Sequence, residues 1–254
     1  MSVNWKKTLF VVCDIIIATY LLLAVTAFNR PDAKTTICTE VKIDVEQTAV
    51  EGFMTAEEIK RILTQNKCYP LSLFMTDINV RTIEECLKNS PFIDQAECYK
   101  TQGGHVCIYV KQRIPVARVM ADNGENYYVD THGSLMPETR FVTDQVIATG
   151  NITRRYAQTT LTRVANDILR DKFWKNQVVQ MNILADGSVE LVPRVGDHVI
   201  YLGPPININK KLDRLRKFYL YGLNKAGWNK YNYINVEFDN QIICKKSKRK
   251  KQNT

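Results

Sequence analysis

Histidine is scarce in these 254 residues: only His105, His132 and His198 occur, far apart along the chain. They sit beside Gly103-Gly104, between Asp130 and Gly133, and after Gly196-Asp197, and all three read as exposed loop residues. Cys-x-x-Cys is missing too, so no zinc spacing is present. The chain has no P-loop, no GxGxxG and no HExxH. No serine or cysteine stands in a nucleophile-elbow setting. Asp130 and His132 are too few for a triad, and Asp130 reads as a turn residue that accepts from local backbone N–H groups. These absences argue against an enzyme, and no metal or cofactor is expected.

Charge of one sign is present but concentrated. The net charge is +9, of which Lys245, Lys246, Lys248, Arg249, Lys250 and Lys251 supply six, leaving +3 elsewhere. A near-neutral body argues against nucleic-acid binding. The basic end reads as a solvated terminus, with acidic polymers or lipid head groups as the competing targets.

Long apolar runs are also absent, with one exception. Thr8 to Phe28 reads TLFVVCDIIIATYLLLAVTAF and carries a single charge, Asp14. A helix of that length spans roughly 30 Å, the thickness of a bilayer's hydrocarbon core. The expectation is one membrane helix carrying an exported body. Lys6 and Lys7 ahead of the run favour a cytoplasmic N-terminus, against the weaker basic flank of Arg30 and Lys34. A cleaved signal peptide, with Val25-Thr26-Ala27 as its cleavage site, is the competing reading, but such apolar cores usually run about 7–15 residues. A carboxylate costs ~2.5–3.5 kcal/mol at a membrane-helix centre and less near its end. Asp14 therefore either snorkels towards the Lys7 side or pairs with a polar group on a partner helix.

Of seven cysteines, Cys13 lies in that run. Cys38, Cys68, Cys86, Cys98, Cys107 and Cys244 follow it, an even number that permits three disulfides in an oxidising compartment. A body this size needs no such framework, and most of them read as small buried residues.

Periodicity divides the body in two. Ile37–Val45 alternates as a strand. Thr55 and Glu58 form a capping box for a helix to about Asn66. Val80–Lys88 is a second helix, with Arg81 and Glu84 exposed. Ile93–Thr101 and Val106–Gln112 are strands around Gly103-Gly104. Placing Ala96 and Cys98 on one face with Val106, Ile108 and Val110 turns Cys98 and Cys107 opposite ways. After Pro115 the texture changes to short strands. Val116–Met120 and Tyr127–Asp130 flank Asn123-Gly124, and Val178–Leu184 and Val189–Val192 flank Asp186-Gly187. Val199–Leu202 is a further strand. Helices are expected over Thr159–Lys172 and Ile208–Asn224. Asn232–Phe238 and Gln241–Lys245 close the chain around Asp239-Asn240. No internal repeat is visible.

This order of elements resembles the bacterial cell-division FtsQ/DivIB family. The strand-helix-helix-strand-strand unit resembles a POTRA domain. Lys111-Gln112-Arg113-Ile114-Pro115-Val116-Ala117 resembles the family's acidic-Arg-x-Pro-Val-Ala junction, with Gln112 in the acidic place. Tyr128-Val129-Asp130 followed by Gly133 resembles its apolar-Asp-x-x-Gly turn, and Val199-Ile200-Tyr201-Leu202-Gly203 its strand ending in Leu-Gly. Tyr233 to Gln241 resembles the closing strand, although Asn235, Glu237 and Phe238 depart from its usual letters.

The resemblance implies an α+β fold: a short cytoplasmic tail (1–7), a transmembrane helix (8–28), a linker (29–36), a POTRA-like domain (37–113), a mostly antiparallel β domain with packed helices (114–246) and a basic disordered tail (247–254). It implies a non-catalytic divisome scaffold, single-pass in the cell inner membrane at the division septum, with its body periplasmic. FtsB-like and FtsL-like coiled-coil proteins are the implied partners, with septal wall synthase components further along. The POTRA unit's second helix and adjacent strand are the other implied docking surface. Strand addition at the closing strands would involve Ile234, Val236, Phe238, Asp239, Asn240, Ile242 and Cys244. Two readings of Ile234, Val236 and Phe238 stay open, since alternation puts them on one face that is either contact or core. The rival functions are a POTRA-containing envelope chaperone or export component and a wall-binding protein acting through its basic tail.

Overall fold

The structure, a computed structural model, describes residues 5–27, 36–46, 54–138 and 145–247. Most of the expected linker and N-terminal tail, and the basic tail beyond Ser247, lie outside them. Helix α1 (Trp5–Ala27) forms where the apolar run predicts one. Leu9, Phe10, Ile16, Tyr20, Leu22 and Val25 are all exposed, so apolar side chains point out on every side. Among the described residues, however, no helix is long and apolar enough to cross a membrane. Asp14 is exposed on this helix, and the Thr19 hydroxyl donates to Ile15 O at 2.7 Å.

Beyond α1 the chain divides into two compact units. One takes in Met54–Ser90 and Gln95–Lys111 together with the residues up to Glu46, the other Pro91–Asp94 and Gln112 onwards. The first unit contains β1 (Glu40–Val45), α2 (Ala56–Gln65), α3 (Val80–Lys88), β2 (Ile93–Lys100) and β3 (His105–Gln112), with sheet order β1-β3-β2. β1 runs parallel to β3, from Glu40 opposite His105 to Val45 opposite Val110. Thr55 caps α2 by accepting from the Glu58 N–H at 3.3 Å, as the capping box predicts. Ile59, Leu63, Ile83 and Leu87 of the two helices are buried, as are Ala96, Cys98, Val106, Ile108 and Val110 of the strands. Cys107 is half-buried on the other face, as the alternation requires. Glu84 departs from its expected exposure: its Oε1 accepts from the Cys98 N–H at 2.9 Å.

Among the described residues, the second unit holds a nine-stranded mixed sheet. Its strands are β4 (Pro115–Ala121), β5 (Asn126–Asp130), β6 (Leu135–Pro137), β7 (Val146–Gly150), β8 (Val178–Ile183), β9 (Val189–Pro193), β10 (Val199–Gly203), β11 (Tyr231–Asn235) and β12 (Ile243–Lys246). Their order is β12-β11-β10-β9-β8-β7-β4-β5-β6. Hairpins give the antiparallel pairs, and helical crossovers give parallel β7–β8 and β10–β11. The first crossover holds α4 (Arg154–Tyr156), a π-helical segment Ala157–Leu161, α5 (Thr162–Arg170) and α6 (Lys172–Gln177). The single helix expected over Thr159–Lys172 is therefore broken. Asp171 leaves the helix in an extended conformation and its Oδ1 caps α6, accepting from Phe173 N–H at 2.9 Å. The second crossover holds α7 (Ile208–Lys217), a π-helical segment Phe218–Leu223 and α8 (Asn224–Ala226). Leu161, Val164, Ile168, Leu212, Leu215 and Tyr219 pack on the sheet in one core.

Arg113 locks this unit where it begins. Its Nη1 donates to Asp130 Oδ2 at 2.8 Å and Ser134 Oγ at 2.9 Å, and lies 3.6 Å from Asp94 Oδ1. The Asp130 side chain is 1% exposed. Its other oxygen accepts from the N–H groups of His132 at 2.9 Å and Ser134 at 2.7 Å, so the turn reading holds and the ion pair is added to it. Gly133 at the same turn has φ +85°, and a Cβ there would stand 2.1 Å from Gln158 O. Removing one partner of a buried pair strands the other charge, at a cost of ~3–5 kcal/mol. Arg113→Ala is therefore expected to destabilise the second unit by about 3 kcal/mol in urea unfolding; a loss below about 1 kcal/mol would mean that the pair is solvated.

His198 overturns its expected exposure. It is 2% exposed, with Nε2 2.7 Å from Tyr219 Oη and its ring edge-on to Tyr219. Tyr219 in turn packs against Phe173, Trp174 and Trp228, and the tight Gly196-Asp197 turn folds the imidazole into this aromatic cluster. Burial pushes the His198 pKa below 6.5, with Asp197 partly opposing it. The unfolded chain therefore binds this proton first. Stability from His198 is complete above about pH 6.5 and is lost as pH falls below it. Urea titrations over that range should show a shallower acid-side slope for His198→Gln than for the native chain; equal slopes would remove His198 as the cause.

Candidate functional site

The site is built from the last strand and the loop before it. Among the described residues, β12 is the outermost strand of the nine and pairs only with β11. The pairing is antiparallel, with Ile234 opposite Cys244 and Asn235 opposite Ile243. β11 in turn runs parallel to β10, with Ile200 opposite Ile234. The outer side of β12 therefore presents a row of unsatisfied N–H and C=O groups.

Two cations of α7 shape the loop between β11 and β12. Arg214 Nη2 donates to Val236 O at 3.1 Å and Nη1 to Asp239 Oδ1 at 3.3 Å. Lys211 is 7% exposed, and its ammonium donates to Leu202 O at 2.7 Å and Pro204 O at 2.8 Å. Burial pushes the Lys211 pKa down, opposed by the nearby Glu237 carboxylate. The two carbonyls are the end of β10, so the lysine ties that end to α7. The Val236 N–H still reaches Tyr201 O at 3.0 Å, extending the parallel pairing by one bond. The chain then bends: Asn235 Oδ1 accepts from the Glu237 N–H at 2.8 Å, and Asn240 takes the left-handed conformation at φ +63°. Gly203 is required opposite the bend, since a Cβ there would come within 2.9 Å of Glu237 Cγ.

These bends separate the residues that alternation groups together. Ile234 and Val236 are fully buried in the core. Phe238 lies beyond the end of the strand and is 46% exposed. The expected strand over Asn232–Phe238 thus ends at Asn235, because the Arg214 clamp and the asparagine turn lift the following chain out of register. Asp239 and Asn240 are exposed. Ile242 and Cys244 are half-buried against the core, and burial pushes the Cys244 thiol pKa up. The residue missed is Ile243, which is 50% exposed. Alternation with Cys244 was the signal that places it on the outer face. Phe238, Asp239, Asn240 and Ile243 remain reachable, together with Lys245 and Lys246. Among the described residues, no group of three or more His, Cys, Asp or Glu side chains is arranged to hold a metal ion. What this arrangement can do chemically is offer main-chain hydrogen bonds beside two exposed apolar side chains.

Two family profiles match the chain. The first, described as a POTRA-like domain, matches residues 36–111. The second, described as FtsQ/DivIB, C-terminal related, matches residues 114–245, more than half of the chain. No curated protein matches it. The second match takes in both the Arg113–Asp130 turn's acidic half and the whole β11–β12 edge. With the two domain types in this order, the chain belongs to the FtsQ/DivIB family of membrane-associated, generally non-enzymatic cell-division proteins.

Proposed function

We propose that this protein is a non-catalytic divisome scaffold that captures a partner strand along β12. The observation carrying this reading is the unpaired outer edge of β12, with Phe238 and Ile243 exposed beside it. An incoming extended segment gains affinity from main-chain bonds and selectivity from side-chain pockets. Its core-facing neighbours, Ile234 and Val236, act by holding the edge in place. Lys245 and Lys246 favour acidic residues at the corresponding end of the partner.

The partner is an FtsB-like segment of a coiled coil shared with an FtsL-like chain, and septal wall synthase components follow in the assembly. No cofactor takes part. The second helix and adjacent strand of the POTRA-like domain over 37–113 are a second docking surface. The helix over 8–28 anchors the protein, with its N-terminus cytoplasmic and its body periplasmic at the septum. Support for the anchor comes from α1, whose apolar side chains are exposed all round; a helix apolar on every face is stable only when buried in protein or lipid.

In-cell photo-crosslinking at positions 238 to 246 tests this. Capture of a small coiled-coil division protein at every second position is the expected result. Capture of many secreted or outer-membrane clients would instead favour an envelope chaperone. Phe238→Ala is expected to weaken capture about tenfold, the effect of losing ~1.4 kcal/mol at an interface anchor, with an unchanged melting temperature. Unchanged capture would remove Phe238 from the interface.

A further inference from the structure

The first unit holds two thiols that strand capture does not use. Cys68 lies in the turn after α2, where its N–H donates to Leu63 O at 2.8 Å and its Sγ to Asn66 O at 3.3 Å. Cys86 lies on α3, between the buried Ile83 and Leu87. Both line one cavity of about 520 Å³ between the two helices, with Ile62, Asn66, Thr82 and Asn89 around them. The Cys68 thiol is close enough to that of Cys86 to raise the Cys86 pKa. Each is only half-buried, so the pair is open to a reagent, whereas Cys38 and Cys98 are buried.

We propose that Cys68 and Cys86 form a thiol–disulfide exchange site that closes a covalent staple between the turn after α2 and α3. The oxidant is another disulfide, either of a protein or of a small thiol. Cys68 loses its proton and its Sγ attacks one sulfur of that disulfide. The S–S bond breaks, and the departing thiolate takes up the proton. Cys86 then gives up its proton and its Sγ attacks Cys68 Sγ, releasing the second oxidant sulfur as a thiol. Two electrons pass from the two cysteines to the oxidant, which ends as two thiols.

The assignment of the resolving thiol follows from the surroundings. Burial, then the neighbouring Cys68, push the Cys86 pKa up to about 11. Cys86 is thus a poor first nucleophile, and it acts once Cys68 holds the mixed disulfide beside it. The other thiols are set apart. Cys98 is pushed up to about 11 by burial and the Glu84 carboxylate, and Cys38 is raised by burial. Cys98 and Cys107 face opposite sides of their sheet. The staple closes a loop of chain and so removes freedom from the unfolded state.

The test uses the folded full chain, reduced and then treated with oxidised glutathione, alkylated and digested with trypsin. The expected product is the peptide Cys68–Arg81 joined to Thr82–Lys88, with a melting temperature several degrees above that of the reduced chain. Separate alkylated peptides, glutathione retained on both cysteines, or Cys68 joined elsewhere would each overturn the proposal. Cys68→Ser and Cys86→Ser should each retain glutathione on the remaining thiol, because the resolving partner is gone. The native chain decides the matter if either variant fails to fold, and no partner protein is needed, so the outcome is independent of strand capture.

Discussion

The buried pair of Arg113 and Asp130 holds the second unit together at its start. Asp130 closes the turn after β5 through two backbone N–H groups while its other oxygen takes the guanidinium. That turn then supports the first helical crossover: Gly133 lies against Gln158 O, and Asn166 Nδ2 donates to Thr131 O at 2.9 Å. One charge pair thereby sets where β4, β5 and α5 begin relative to one another. Such a pair adds little net stability over an apolar replacement, but it admits only one arrangement of its neighbours. Both residues come from segments that resemble family motifs, and the structure gives those motifs an architectural reason.

A similar device operates at the other end of the sheet. Lys211 and Arg214, one turn apart on α7, direct their cations at backbone carbonyls: Leu202 and Pro204 at the end of β10, and Val236 after β11. A parallel pair such as β10–β11 has no short hairpin to set its register. The two side chains supply that constraint from the crossover helix, and β12 is positioned through β11. The exposed edge is therefore as rigid as the packing of α7 on the core.

Much of this was legible in the sequence, because amphipathic periodicity is local. The helix over Val80–Lys88 and the strands about the two Asx-Gly turns, Asn123-Gly124 and Asp186-Gly187, fall where their patterns put them. β6 has three residues, too few for a period to stand out. The Arg113–Asp130 pair spans residues far apart in sequence, and nothing in their letters joins them. His198 looked exposed because it follows a glycine turn, and only the distant Tyr219 gives it a partner. Phe238 was grouped with Ile234 and Val236 by strict alternation, which fails once a helix residue, Arg214, bends the chain.

The two ends of the nine-stranded sheet are unlike. β6 closes one end with three residues, the last of them Pro137, which has no N–H to offer. β12 closes the other with four, none of them proline. Among the described residues, the β6 end therefore offers one main-chain donor fewer than its length allows, whereas every residue of β12 keeps its N–H. Edge-to-edge association of copies of this chain through β6 would forgo a main-chain bond at Pro137, so the two edges differ in what they can pair with.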